Sequence, residues 1–88
     1  MMSKIPMDES AGDIDKEILR VGMIAELDAV NLYEQMAAKA QDSKLKALLL
    51  DVAREEKTHV GEFQTLLLQK DKEQVKELEA GKKEVEEL

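Results

Sequence analysis

Glu56 and His59 interrupt an apolar line. Leu45, Leu48 and Val52, then Phe63 and Leu66 or Leu67, follow one face of a helix at intervals of three and four when positions 56 and 59 are counted between Val52 and Phe63. A carboxylate and an imidazole three residues apart project the same way from a helix. Burying a carboxylate there costs several kcal/mol (about 2–7 for a polar group, more for a charge) unless something compensates it. A divalent metal is one such compensation. Glu26 repeats the feature on an earlier stripe of Leu19, Met23, Val30 and Tyr33. Carboxylate oxygens with imidazole suit iron or manganese, and zinc also binds such a set. An ordinary reading stands beside this one: His59 could meet Glu55 or Glu62 in a half-exposed salt bridge. A lone Glu-x-x-His is common in helical proteins, and Glu26 at a matching depth is what gives the metal reading its weight. Tyr33 reads as a packing residue, and Asp28, on a different face from Glu26, as solvated.

These positions require two long helices. Asp13 can cap a helix running from Ile14 to about Ala40, with apolar residues on more than one face. Gln41, Asp42 and Ser43 form a short turn in which Asp42 or Ser43 caps a second helix from about Lys44 to Gln69. Asp71, with Gln74 three residues on, is a capping-box signal for a third helix from Lys72. That helix is highly charged, with a narrow stripe of Val75, Leu78, Val85 and Leu88, and Gly81 is expected to end or bend it. Residues 1–12 lack periodicity and read as a flexible tail. The organisation expected is therefore a tail (1–12), a helical hairpin (13–70) and a C-terminal helix (71–88). Two long helices joined by so few residues lie antiparallel, which brings the middle of the first, near Glu26, opposite the middle of the second, near Glu56. The fold class is all-α.

Composition narrows the functions. The 88 residues carry a net charge of −7, which disfavours nucleic acid and anionic membranes. No apolar run approaches a membrane span, and no signal segment is evident, so the cytoplasm is the expected location. No cysteine is present, so neither disulfides nor thiolate ligands can supplement a thin core. Association with further copies completes such a core most cheaply. One Glu and one Glu-x-x-His are half of the ligand set of a ferritin-like di-iron bundle, and a two-fold dimer would supply the whole.

The segments Ala25-Glu26-Leu27-Asp28-Ala29-Val30-Asn31-Leu32-Tyr33 and Asp51-Val52-Ala53-Arg54-Glu55-Glu56-Lys57-Thr58-His59 closely resemble the encapsulated ferritins, the half-length ferritin-like proteins carried in encapsulin nanocompartments. The similarity is strongest to the archaeal and thermophile type and covers roughly residues 15–85. It implies two antiparallel helices and a shorter third. It also implies a dimer with two iron ions at its interface, and five dimers closed into a ring-shaped decamer. Zinc, manganese or calcium are possible substitutes for iron. The iron ligands fall on Glu26, Glu56 and His59, and the family tyrosine beside the site on Tyr33. An acidic pair on the metal entry path is matched in part, by Asp28, with Ala25 where some members have glutamate. Family members carry a shell-docking peptide or are fused to the shell protein. This sequence stops at Glu86-Glu87-Leu88, so such a tail is removed, replaced or absent.

The implied activity is that of a ferroxidase feeding iron to storage inside the encapsulin shell, with Glu56 bridging the two ions. Two other readings compete. One is a non-enzymatic helical assembly with a buried polar cluster. The other is a rubrerythrin-like peroxide scavenger, against which the two-helix length and the absence of cysteine both argue.

Overall fold

Asp42 has extended backbone angles (φ −77°, ψ 128°), and its carboxylate accepts a hydrogen bond from the Leu45 amide at 2.8 Å. This cap turns the chain between the two long helices. In the computed structural model, which describes residues 14–88, α1 spans Ile14–Lys39, α2 spans Ser43–Lys70 and α3 spans Lys72–Glu86. The expected boundaries hold to within a residue or so. The tail at 1–12 and the Asp13 cap lie outside the described residues.

The α1 and α2 helices pack as an antiparallel hairpin. Their register is marked by cross-links: Lys70 to Asp15 at 3.9 Å near one end, His59 to Glu26 at 3.5 Å in the middle, and Lys57 to Glu34 at 3.3 Å beyond it. The seam buries Leu19, Val30 and Ala37 of α1 against Leu49, Ala53 and Leu67 of α2. The two alanines, at 1% and 2% exposure, let the backbones approach closely. The α1 stripe through Leu19, Glu26 and Val30 is thus the seam face, as its periodicity indicates.

The α2 line divides differently. Leu45, Leu48 and Leu66 are exposed, while Leu49 and Leu67, one position on, are buried. The helix carries two neighbouring apolar stripes, and a single partner helix covers only one of them. Leu27, Leu32 and Met36 are likewise exposed on α1.

Asp71 ends α2 and begins α3. Its backbone N–H donates to the Leu67 carbonyl at 2.9 Å, and its Oδ1 accepts from the Gln74 amide at 2.9 Å. Its Oδ2 accepts from the Arg20 guanidinium of α1 at 2.8 Å. One residue therefore ties all three helices. The α3 helix buries none of its side chains and runs through Gly81 without ending. Space around Gly81 is open, so nothing there requires the chain to turn. The described residues contain no helix long and apolar enough to cross a membrane.

Candidate metal centre

Halfway along the hairpin, α1 offers Glu26 and α2 offers Glu56 and His59. One donor atom from each lies within 4.8 Å of the others, and they form the single such acidic–histidine group among the described residues. His59 Nδ1 stands 3.5 Å from Glu26 Oε2 and 3.5 Å from Glu56 Oε1. The carboxylates are 19% and 18% exposed and the imidazole 41%, so the cluster is sheltered by the hairpin but opens on one side. Neither Glu55 nor Glu62 is the histidine's partner at this distance, and the spacing Glu-x-x-His works as the helix geometry requires.

The electrostatics are those of a site short of positive charge. Glu26 holds its proton more tightly than an ordinary glutamate. The main cause is the hydrogen-bonding Glu56 carboxyl beside it, followed by burial and by the Glu56 charge, against a smaller opposing pull from His59. At His59, desolvation favours the neutral ring, but the carboxylates of Glu26 and Glu56, with a more distant contribution from Glu62, outweigh it and raise the pKa. Glu26 Oε2 is buried with no hydrogen-bond partner. Such an atom is costly to leave alone and is satisfied by a cation. Two carboxylates and an imidazole are also a chemically suitable donor set for iron, manganese or zinc.

The remaining candidates are on α1, outside the cluster. Tyr33, two helical turns beyond Glu26, is partly buried. Asp28, expected in solvent, is only partly exposed, and it is not among the three clustered residues. One neighbouring feature escapes a sequence reading. Gly22 carries the Phe63 ring against its backbone, and a Cβ on Gly22 would stand 3.0 Å from two ring carbons. In the sequence Gly22 is only a weak spot in a helical pattern.

Residues 17–88 match the family model described as Rubrerythrin. The chain is similar to the "Ferritin-like-encapsulin shell fusion protein" of Pyrococcus furiosus, with 64% identity over 72 residues. It also superposes on the crystal structure of the encapsulated ferritin domain from Pyrococcus furiosus with a TM-score of 0.84 and 53% identity, covering 100% of this chain and 87% of that one. The chain belongs to the encapsulated ferritins. The matched segment is 82% of this encapsulated ferritin and 21% of the shell fusion protein. The likeness to the solved domain thus extends over the whole hairpin and α3, and the cluster of Glu26, Glu56 and His59 sits within the matched region.

Proposed function

We propose that this encapsulated ferritin is a ferroxidase whose centre forms between two copies of the chain. The observation that carries the reading is the half site itself: a Glu/Glu/His cluster, open on one side, with a buried Glu26 oxygen that accepts no hydrogen bond. A second copy related by a two-fold axis would turn two helices into four. It would also double the donors to four carboxylates and two imidazoles, the complement of a ferritin-like bundle. The exposed leucines of α1 and α2 give such a dimer apolar area to bury.

Fe²⁺ is the substrate. Each ion gives up one electron, and two together reduce O₂ to peroxide, or peroxide to water, with two protons consumed. The protein's part is electrostatic and positional. The anionic carboxylates bind Fe³⁺ more strongly than Fe²⁺ and so favour oxidation. Glu56, central in the cluster, is assigned the role of the ligand shared by both ions. Glu26 and His59 are assigned one ion per chain, and Tyr33 a place beside the site. A cation competes with protons for Glu26 and His59, so its binding releases any they carry. Asp28 is assigned to the entry path. A ring of half-bundles, such as the five-dimer decamer, encloses no cavity, so the ferric product passes to an encapsulin shell for storage. The relative's description as a shell fusion protein supports that partner.

Anaerobic titration with Fe²⁺, followed by admission of air, tests the reading. Binding should saturate at about one ion per chain, and air should then develop ferric absorbance. An unchanged spectrum at every ratio would favour a non-enzymatic helical assembly. Oxidation by peroxide alone would favour the scavenger.

A further inference from the structure

Among the described glycines, Gly61 and Gly81 face open space, whereas Gly22 is covered by an aromatic ring. A Cβ built on Gly22 would lie 3.0 Å from Phe63 Cδ1 and Cε1 and 3.2 Å from Cγ. Three ring atoms, including the one attached to the side-chain stem, crowd the space a Cβ on Gly22 would take. Spinning the ring about its own axis leaves Cγ where it is. Relief therefore requires Phe63 to swing at its base or α2 to move away from α1. The contact is a spacer between the helices, and its thickness is set by a bare backbone on one side and a ring on the other.

The spacer adjoins the metal cluster. Gly22 lies four residues before Glu26 on α1, and Phe63 lies four residues after His59 on α2, so each stands about one turn, ~5–6 Å, from a cluster residue. The two helices run antiparallel, so these turns lie on the same side of the cluster. On its other side lie buried Val30, four residues after Glu26, and buried Ala53, three before Glu56. Glu26 and His59 face each other across the same seam at 3.5 Å. Any widening at the spacer layer is felt in the next layer, because a close-packed helix pair transmits displacement along its length.

We infer that the Gly22–Phe63 contact fixes the separation of Glu26 from His59, which makes Gly22 and Phe63 positioning residues for the bound metal. The inference rests on the reading of Glu26, Glu56 and His59 as metal ligands. It accounts for a glycine in the interior of a long helix, where alanine would otherwise be the better helix former.

The test uses the full chain with Zn²⁺, measured by competition with a chromophoric chelator, and Co²⁺, whose visible absorption reports coordination geometry. Gly22→Ala should keep the helical circular dichroism of the unaltered protein. Its Zn²⁺ affinity should fall about tenfold, the lower end of what displaced supporting residues cost metal sites, and its Co²⁺ spectrum should shift. The double variant G22A/F63L removes the ring atoms that the new methyl meets, and it should recover most of the lost affinity. G22A with unchanged affinity and spectrum overturns the inference, as does a double variant no better than G22A. If G22A does not fold, Phe63→Leu alone carries the test: a Co²⁺ spectrum identical to that of the unaltered chain overturns the inference. The ligand reading fails separately. It fails if the unaltered chain binds no Zn²⁺ or if Glu56→Ala binds it equally well, and the positioning inference then fails with it. A clear loss in E56A beside an unchanged G22A overturns the positioning role alone.

Discussion

Glu26 and His59 both bind protons more tightly in the folded chain than their ordinary values of 4.5 and 6.5 imply. The folded state therefore takes up protons relative to the unfolded one, and its stability falls as pH rises. The His59 contribution is complete below 6.5 and is lost as pH passes its higher folded value. The penalty for ionising Glu26 begins above 4.5. Asp71 has the opposite sign. Its cap bond from Gln74 is the largest cause of a value below 3.8, so its contribution is present above 3.8 and lost only in stronger acid. With chelator present at fixed ionic strength, the melting temperature should fall between pH 5 and pH 8. Zn²⁺ should abolish or reverse that slope, because protons then compete with the metal. A metal-free slope that survives in the double variant Glu26→Gln, His59→Gln would show that other groups cause it. Glu56→Ala should cost more activity than the about 10–100-fold typical of a supporting residue. Asp28→Asn should slow iron uptake while leaving its stoichiometry intact, and equal loss of bound iron in both variants would show the ligand set to be wrong. The cluster was legible in the sequence because two polar residues broke an apolar period at fixed spacing. The spacer beside it was not, because the meaning of Gly22 depends on Phe63, on the other helix.

At the scale of elements, the caps were the readable part. Asp42 and Asp71 each place a short acidic side chain before a helical run, and both accept from the amide three residues on. The Arg20–Asp71 pair had no sequence signal, since it joins residues 51 apart and depends on how α3 leaves the hairpin. Gly81 did not end α3: a glycine in open space weakens a helix without forcing its end. The α3 helix has no buried residue, and Asp71 ties its start to the hairpin. Asp71→Ala should therefore raise hydrogen–deuterium exchange throughout α3 while leaving the α1–α2 seam protected. Protection lost equally in all three helices would mean that α3 is part of a single folding unit. The division of the α2 leucines gives a second test. Leu67→Ala, in the buried seam, should destabilise the chain by about 2–5 kcal/mol. Leu66→Ala, at a side chain 50% exposed, should cost a single chain little, and chemical denaturation of dilute protein separates the two.

The described residues form a slab 47 Å by 38 Å across and 19 Å thick. A slab of that thickness has no interior away from its seam, and the sequence shows as much by its length, its apolar stripes on two faces and its lack of cysteine. Two influences on association oppose each other. Apolar area on the exposed stripes favours it, while the net charge of −7 disfavours it and is screened by salt. The proposed metal centre between two copies would add a third, since a ligand bound only by the associated state shifts the balance toward it. At fixed ionic strength under nitrogen, stoichiometric Fe²⁺ should raise the mass measured by light scattering, together with the melting temperature. If metal-free protein at micromolar concentration already has its full mass and Fe²⁺ changes neither quantity, the apolar faces alone drive assembly. The exposed leucines also bear on how the chain reaches its native state. With six apolar side chains buried along the seam among the described residues, the isolated hairpin has little with which to resist unfolding. If two copies form the centre, as proposed, folding and encounter merge into one bimolecular reaction. Refolding rates should rise with protein concentration, and the urea midpoint should move upward with each dilution avoided. A newly made chain would thus gain most of its stability on meeting its twin, rather than on leaving the ribosome.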